Sequence, residues 1–314
     1  MSVFLISWIS RWLPNNTHRL RVLRLGFVAN WLRSCYDKNT ETLTTVLHGY
    51  PCLINGGNPY PFLIKAIPTF NQGLVQLVHQ VAQEIQRKVN VADIGASIGN
   101  TVLLLQDKTG EKIAVIHCIE ADQGFLGLLR HNMRIFSNVV IHETMLARAP
   151  GQIAALVRNH PGTATAIGTQ HVTASTIDAE LLTSMPCCDV LKIDIDGFDG
   201  EALIGAIELL RRDQPAVIFE WHPILTIQAG NDVASSFIAL RSAGYERLLW
   251  FRNDGPFSHF SLTDDLEIGH WAQYLVRMQP HGDPHFDIIA LPPRWRHLED
   301  SIASLGNLQP SPAE

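Results

Sequence analysis

Hydrophobic residues recur along this chain with two different periods. Over residues 73–88 the apolar positions Leu74, Leu77, Val78, Val81 and Ile85 return at helical spacing, which predicts an amphipathic helix. From residue 90 onward, short apolar runs alternate with helix-spaced segments. Strands are expected at 89–94, 113–120, 139–146, 190–194 and 216–220, and helices at 100–106, 123–136, 200–212 and 233–244. Alternation of this kind implies an α/β fold, a mostly parallel twisted sheet with helices on both faces. It lapses over 149–175, where Pro150-Gly151 and Pro161-Gly162 suggest a hairpin or a loop near the active site. In the last third, strands are expected around Trp250-Phe251 and at 288–291, joined by a loop rich in His, Pro and Asp.

The first ninety residues have another texture. An apolar start is followed by a basic stretch, with five arginines and no acid between residues 11 and 33. A turn-rich segment at 49–61 comes next. Three regions are therefore expected: a largely helical N-terminal extension or cap at 1–89, an α/β domain at 90–300, and a loose tail at 301–314. The apolar start lacks the cationic leader and cleavage site of a secretory signal and is too short to span a bilayer. It is expected to dock on the domain as a helix; peripheral membrane contact through Trp8, Trp12 and the following arginines is the other reading. Five cysteines without regular spacing make a poor disulfide framework and point to a reduced, cytoplasmic protein. A net charge of −6 argues against a nucleic-acid partner. The oligomeric state is left open, a homodimer being one option.

The sharpest local signal is VADIGASIGN, residues 91–100. A strand ends in Asp93 and a small-residue turn leads into a helix. Gly95 and Gly99 let a ligand approach the backbone closely, at the strand ends where open α/β sheets bind ligands. The dinucleotide fingerprint G-x-G-x-x-G/A fails here, because Ser97 and Asn100 occupy its second and third glycine positions. S-adenosylmethionine has no phosphate and does not need those glycines. Asp93 then accepts a hydrogen bond from the cofactor ammonium or holds the turn, with Ala96 completing the backbone cradle. Glu120 ends the second strand about 20 residues past the turn, as expected of a carboxylate that grips a ribose diol. Ala121, Asp122 and Glu143 complete the expected cofactor set.

These residues resemble the FkbM-type methyltransferase family. The resemblance rests on DIGASIGN at 93–100, IEAD at 119–122 and LKIDIDGFDGEALIGA at 191–206. Within the last, Lys192-Ile193-Asp194, Gly197, Glu201, Leu203 and Gly205-Ala206 follow the family pattern, as do Pro215 and the strand ending in Glu220. The chain departs from it at Ile195-Asp196 and at Glu120-Ala121. The resemblance covers roughly residues 90–245. It implies a Rossmann-like class I methyltransferase fold and methyl transfer from S-adenosylmethionine, usually to a hydroxyl of a sugar, glycolipid or natural product.

Strand alternation places Lys192, Asp194 and Asp196 on one face of their strand, and Ile218, Glu220 and His222 on one face of the next. Lys192 and Asp194 either pair to fix the strand end or act beside the acceptor. His222 is the expected general base, since imidazole titrates near neutrality; its other reading is a cap before Pro223. Glu220 orients His222 or points at the acceptor. The preferred reading has no metal; a divalent Mg²⁺ or Mn²⁺ bound by Asp194, Glu220 and His222 is the alternative. His281 and His285 invite a metal reading, but Gly282 and Pro284 between them break any shared helical face. Trp250, Phe251, Phe257 and Phe260 are read as core rather than pocket. Three other functions compete: a nicotinamide-dependent oxidoreductase, disfavoured by the failed fingerprint; a non-catalytic cofactor-binding module, disfavoured by the intact set Asp93, Gly95, Gly99 and Glu120; and a nucleic-acid or protein methyltransferase, base N-methylation being disfavoured by the lack of an Asn-Pro-Pro-Tyr-type motif.

Overall fold

The computed structural model describes residues 3–22, 26–160, 163–263, 265–278 and 285–305. Pro161-Gly162, His281 and the tail beyond residue 305 lie outside the described residues.

The N-terminal region is built from helices α1 (Val3–Val22), α2 (Gly26–Asp37), α3 (Tyr60–Ala66) and α4 (Gln72–Ile85), with an antiparallel hairpin, β1 (Leu43–Leu47) and β2 (Tyr50–Ile54), between α2 and α3. The hairpin was not expected, although its apolar positions alternate, because the turn residues around it dominated the reading. The helices pack as the apolar period requires. Ile6, Ile9 and Leu13 of α1 and Leu74, Leu77, Val78 and Val81 of α4 are fully buried. They share one core with Val91 and Val102 of the following region.

From residue 89 the chain runs β3 (Val89–Ile94), α5 (Asn100–Thr109), β4 (Ile113–Glu120), α6 (Gln123–Met133) and β5 (Val139–Glu143). It continues through β6 (Met145–Leu146), β7 (Gly151–His160), β8 (Thr163–Ser175), α7 (Ile177–Leu181) and β9 (Val190–Ile193). Then follow α8 (Asp199–Ile204), α9 (Ile207–Asp213), β10 (Ala216–Trp221), α10 (Pro223–Gln228) and α11 (Ser235–Ser242). The chain closes with β11 (Arg247–Arg252), β12 (Phe257–Leu262), α12 (Asp265–Met278), β13 (Phe286–Ala290) and α13 (Glu299–Leu305).

Eight strands form one sheet in the order β12-β11-β13-β10-β9-β3-β4-β5. The run from β10 to β5 is parallel; β13, β11 and β12 are antiparallel. Every residue of β3 and β9 is buried, as expected of central parallel strands covered on both faces, while edge strand β5 is only half covered. This is a Rossmann-like α/β architecture with a helical N-terminal region. The strand order reverses between β3 and β9. That leaves a crevice at their carboxyl ends, where open sheets bind ligands.

Over 149–175, of the two expected readings the hairpin holds: β7 and β8 pair antiparallel, and β6 pairs with β8. Three expectations are corrected. The single helix at 200–212 is two helices: α8 ends at Ile204 with Gly205 as its C-cap, and α9 starts at Ile207; a side chain at Gly205 would lie 2.4 Å from the Ala147 carbonyl oxygen. The interval read as a loop between 251 and 288 holds β12 and α12. The alternating burial of β12 and the buried Ile268, Ala272 and Leu275 at helical spacing on α12 were masked by the local density of His, Pro and Asp. Finally, residues 301–305 belong to α13, which packs on α4, so the expected loose tail does not begin at 301.

Candidate active site

A cavity of about 310 Å³ opens at the β3/β9 crevice, within the range of small-molecule sites. Its floor is the turn after β3. Gly95 takes φ +78, and a Cβ there would lie 1.9 Å from the Asp194 carbonyl oxygen. No other residue fits where β3 and β9 converge. The turn is pinned by Gly95 and Ala96, whose N–H groups donate to the Ile119 carbonyl at 3.0 and 3.1 Å. Ser97 adopts a left-handed φ of 50, and its N–H donates to Glu120 Oε2 at 2.7 Å.

Glu120 does more than wait for a ligand. Its Oε1 also accepts the N–H groups of Ala121 at 2.9 Å and Asp122 at 2.8 Å. A carboxylate offers about four acceptor positions, so roughly one remains for a ribose hydroxyl, fewer than the two-hydroxyl grip anticipated from the sequence. Burial raises the Glu120 pKa, and its three backbone donors oppose that rise. Asp122 is the N-cap of α6, accepting from Gly124 and Phe125. Ala96 is buried, and Gly99 caps α5 in a left-handed conformation. Gly95, Ser97, Asn100, Glu120 and Ala121 line the cavity; Ala96, Gly99, Asp122 and Glu143 do not. Glu143 is instead paired with Arg130 at the edge of the sheet.

The β9 side is held by one lysine. Lys192 Nζ lies 2.9 Å from Asp93 Oδ1 and 3.4 Å from Asp194 Oδ2, and donates to the Gly95 carbonyl at 3.3 Å. Asp93 is fully buried and sits behind Lys192 rather than in the cavity lining. Burial raises the Asp93 pKa against the pull of Lys192. Burial alone would lower that of Lys192, but the two carboxylates together raise it. The strand ends at Ile193, so Asp196 is not on the Lys192 face of a strand. It lies in the following turn with a left-handed φ of 51, still at the cavity wall.

Strand β10 likewise ends before His222. Pro223 starts α10 and His222 becomes its N-cap, its ring nitrogen accepting weakly from Leu225 N–H at 3.4 Å. His222 is buried and stacks on His285 with ring centroids 5.1 Å apart; it does not line the cavity, whereas Glu220 does. His285 Nε2 lies 3.3 Å from Glu220 Oε1. Among the described residues no three His, Cys, Asp or Glu side chains come together to hold a metal ion, and Asp194, Glu220 and His222 do not form such a group.

Residues not anticipated complete the site. Antiparallel β13 sets Asp287 opposite Glu220. Burial pushes the Asp287 pKa up to about 7, with Asp194 adding and Lys192 opposing. The Glu220 pKa is pushed well above the carboxylate range, first by burial and then by Asp194, Asp199, Asp196 and Asp287. On the open side the N-terminal region supplies a cap of Asn58, Pro59, Tyr60, Leu63 and Phe70. Tyr36 Oη donates to the Asn58 carbonyl at 2.7 Å, and Tyr60 Oη lies 2.9 Å from His48 Nε2. Only the turn signal Asn-Gly-Gly-Asn-Pro marked this segment in the sequence. Trp250 and Phe251 are buried in the core, and neither they nor Phe257 and Phe260 line the cavity.

The lining chemistry discriminates between cofactors. Glu120, Asp194, Asp196 and Glu220 face the cavity against a single cation, Lys192, which is committed to Asp93 and Asp194. A diphosphate would meet repulsion there, whereas an ammonium or sulfonium would be attracted. Ile94, Ile119, Phe125 and Leu146 add an apolar wall suited to a flat heteroaromatic ring.

Residues 93–247 match the model of the methyltransferase FkbM domain. No curated protein matches the chain. Similar solved structures include the methyltransferase FkbM of Methylobacillus flagellatus, 16% identical with a TM-score of 0.41, where the match covers 65% of this chain and 43% of that one. A putative O-methyltransferase from Klebsiella pneumoniae is 13% identical with a TM-score of 0.39, covering 71% and 80%. TYW2 of M. jannaschii, solved in complex with AdoMet, is 13% identical with a TM-score of 0.38, covering 81% and 86%. This chain thus spans less than half the length of the M. flagellatus protein.

Proposed function

We propose that this chain, whose residues 93–247 match the model of the methyltransferase FkbM domain, is an S-adenosylmethionine-dependent O-methyltransferase acting on a hydroxyl of a sugar, glycolipid or natural product. The carrying observation is the acidic lining of the cavity around a lysine already neutralised by Asp93. That lining suits a cationic methyl donor and opposes a nicotinamide dinucleotide.

S-adenosylmethionine supplies a methyl group activated by its positive sulfur. The rest falls to the chain. The Gly95–Asn100 turn and Glu120 hold the nucleoside half, and the cap from Asn58 to Phe70 excludes water. Asp194, with half of its side chain exposed, orients the acceptor hydroxyl for in-line attack. The base role expected of His222 passes to Glu220, which faces the cavity. Its high pKa makes Glu220 a strong proton acceptor once ionised. Glu220 ionises more readily beside a positive charge, so its competence as a base is tied to occupation of the neighbouring half.

The test is calorimetric titration with S-adenosylmethionine, NAD and NADP, with Mg²⁺ and after chelation. Saturable binding of S-adenosylmethionine alone is the expected result. Preferential binding of NAD, or no binding of S-adenosylmethionine, overturns the reading. Transfer of labelled methyl to panels of sugars, glycolipids and phenolic alcohols then identifies the acceptor.

A further inference from the structure

Helices α1 and α2 pack against each other, and α1 lies on β1 and α3. Each is docked by one face. Ile6, Ile9 and Leu13 of α1 and Ala29, Leu32 and Tyr36 of α2 are buried, and Ser10 Oγ donates to Thr45 Oγ1 at 3.1 Å. That docking leaves large aromatics in solvent. Phe4 is 91% exposed, Trp8 46%, Phe27 70% and Trp31 59%, whereas Phe260, the most exposed phenylalanine elsewhere among the described residues, reaches 36%. The four form two pairs at i, i+4 spacing, so each pair occupies one stripe of its helix. Trp8 is stacked on Trp12 with centroids 4.8 Å apart, which presents a rigid indole surface.

The charge of this region is opposite to that of the whole. From residue 3 to residue 37, the end of α2, the sequence holds five arginines and one acid, Asp37, which pairs with Arg33 at 2.7 Å, in a chain of net charge −6. Arg11 and Arg19 lie exposed on α1. Exposed Phe and Trp beside arginine, on helices whose other face is occupied, are the components of an interfacial anchor. Indole rings favour the headgroup boundary, and basic side chains are attracted to anionic lipid. No helix among the described residues is long and apolar enough to cross a membrane.

We propose that the α1–α2 hairpin docks the protein on an anionic lipid surface, Phe4, Trp8, Phe27 and Trp31 entering the headgroup region while Arg11 and Arg19 face lipid phosphates. The hairpin rests on α3, which carries Tyr60 and Leu63 of the cavity cap. Docking therefore brings the cap to the membrane.

The experiment is co-sedimentation of the full chain with vesicles of phosphatidylcholine alone and of phosphatidylcholine mixed with phosphatidylglycerol, at low and high salt. The expected result is partition onto the mixed vesicles that weakens with salt. The combined variant Phe4→Ser, Trp8→Ser, Phe27→Ser, Trp31→Ser should lose at least roughly ten-fold in partition, with an unchanged melting temperature. Arg19→Gln should lose about five-fold. Absence of binding to the mixed vesicles, or equal binding by the four-residue variant, overturns the proposal. So does a shift from dimer to monomer in that variant without vesicle binding by the parent, which would make a second copy the occupant.

Discussion

The two halves of the cavity handle their polar groups in opposite ways. In the β3–β4 half, Glu120 accepts three backbone N–H groups and Asp122 caps a helix, so the acids are fixed by the main chain and in turn fix its turns. In the β9–β10–β13 half, Asp194, Asp196, Glu220 and Asp287 crowd together, and the single lysine belongs partly to Asp93. One half has acids that define shape. The other crowds its carboxylates, and burial with mutual repulsion raises the pKa of Glu220 and of Asp287. A site that must hold a nucleoside needs the first property, and one that must take a proton from an alcohol needs the second.

The largest effect should come from the crowded half. Glu220→Gln keeps the volume and removes the proton acceptor. Turnover should fall roughly a hundred- to ten-thousand-fold, with a far smaller loss of S-adenosylmethionine affinity. Normal methyl transfer by this variant would return the base role to another group and erase the contrast between the halves.

Lys192 stands on the border between them. Lys192→Met leaves the fully buried Asp93 carboxylate without its cation, which should cost about 3–5 kcal/mol of stability, read as the urea midpoint. Adding Asp93→Asn should recover much of the loss. If Lys192→Met alone melts like the parent, the pair does not define the boundary. In the shape-defining half, Glu120→Gln should cost about 1–3 kcal/mol in cofactor binding, roughly ten- to hundred-fold in Kd. Because Glu120 also pins the Ser97 turn, the loss should appear with turnover at saturation largely retained. Unchanged affinity would remove Glu120 from the cofactor set.

The same contrast explains what could be read without a structure. The cofactor half is local: strand, glycine turn, helix and an acid at the end of the next strand follow one another within thirty residues or so, and periodicity located β3 and β4 to the residue. The other half is assembled from distant segments. Glu220 meets Asp287 only because β13 enters the sheet antiparallel, and no periodicity reveals strand order. Alternation misplaced His222 and Asp196 because it was carried past the last strand residue. Pro223 ended β10 at Trp221, and the left-handed Asp196 turned the chain after Ile193. The cap residues Asn58 to Phe70 were invisible as site residues because a turn motif states where a chain bends and not what it covers.

Asp287 gives the finest test of the comparison, because it belongs to the crowded half but not to the cavity lining. Its carboxyl titrates near 7 in the fold, against about 4 in an unfolded chain. Between those values the native state holds a proton that the unfolded state has released, so stability falls as pH rises. The contribution is fully present below about pH 4, is lost progressively as pH climbs through about 7, and changes no further above it. Asp287→Asn removes this titration and leaves that of Glu220. Urea midpoints measured from pH 5 to pH 8 should therefore decline less steeply in the variant, and its advantage over the parent should grow with pH. The effect is the smallest of the four, because Asp287 remains partly exposed and solvent screens it. Parallel curves for parent and variant would mean that Asp287 ionises like an ordinary surface carboxylate, and that the crowding of acids stops at Glu220.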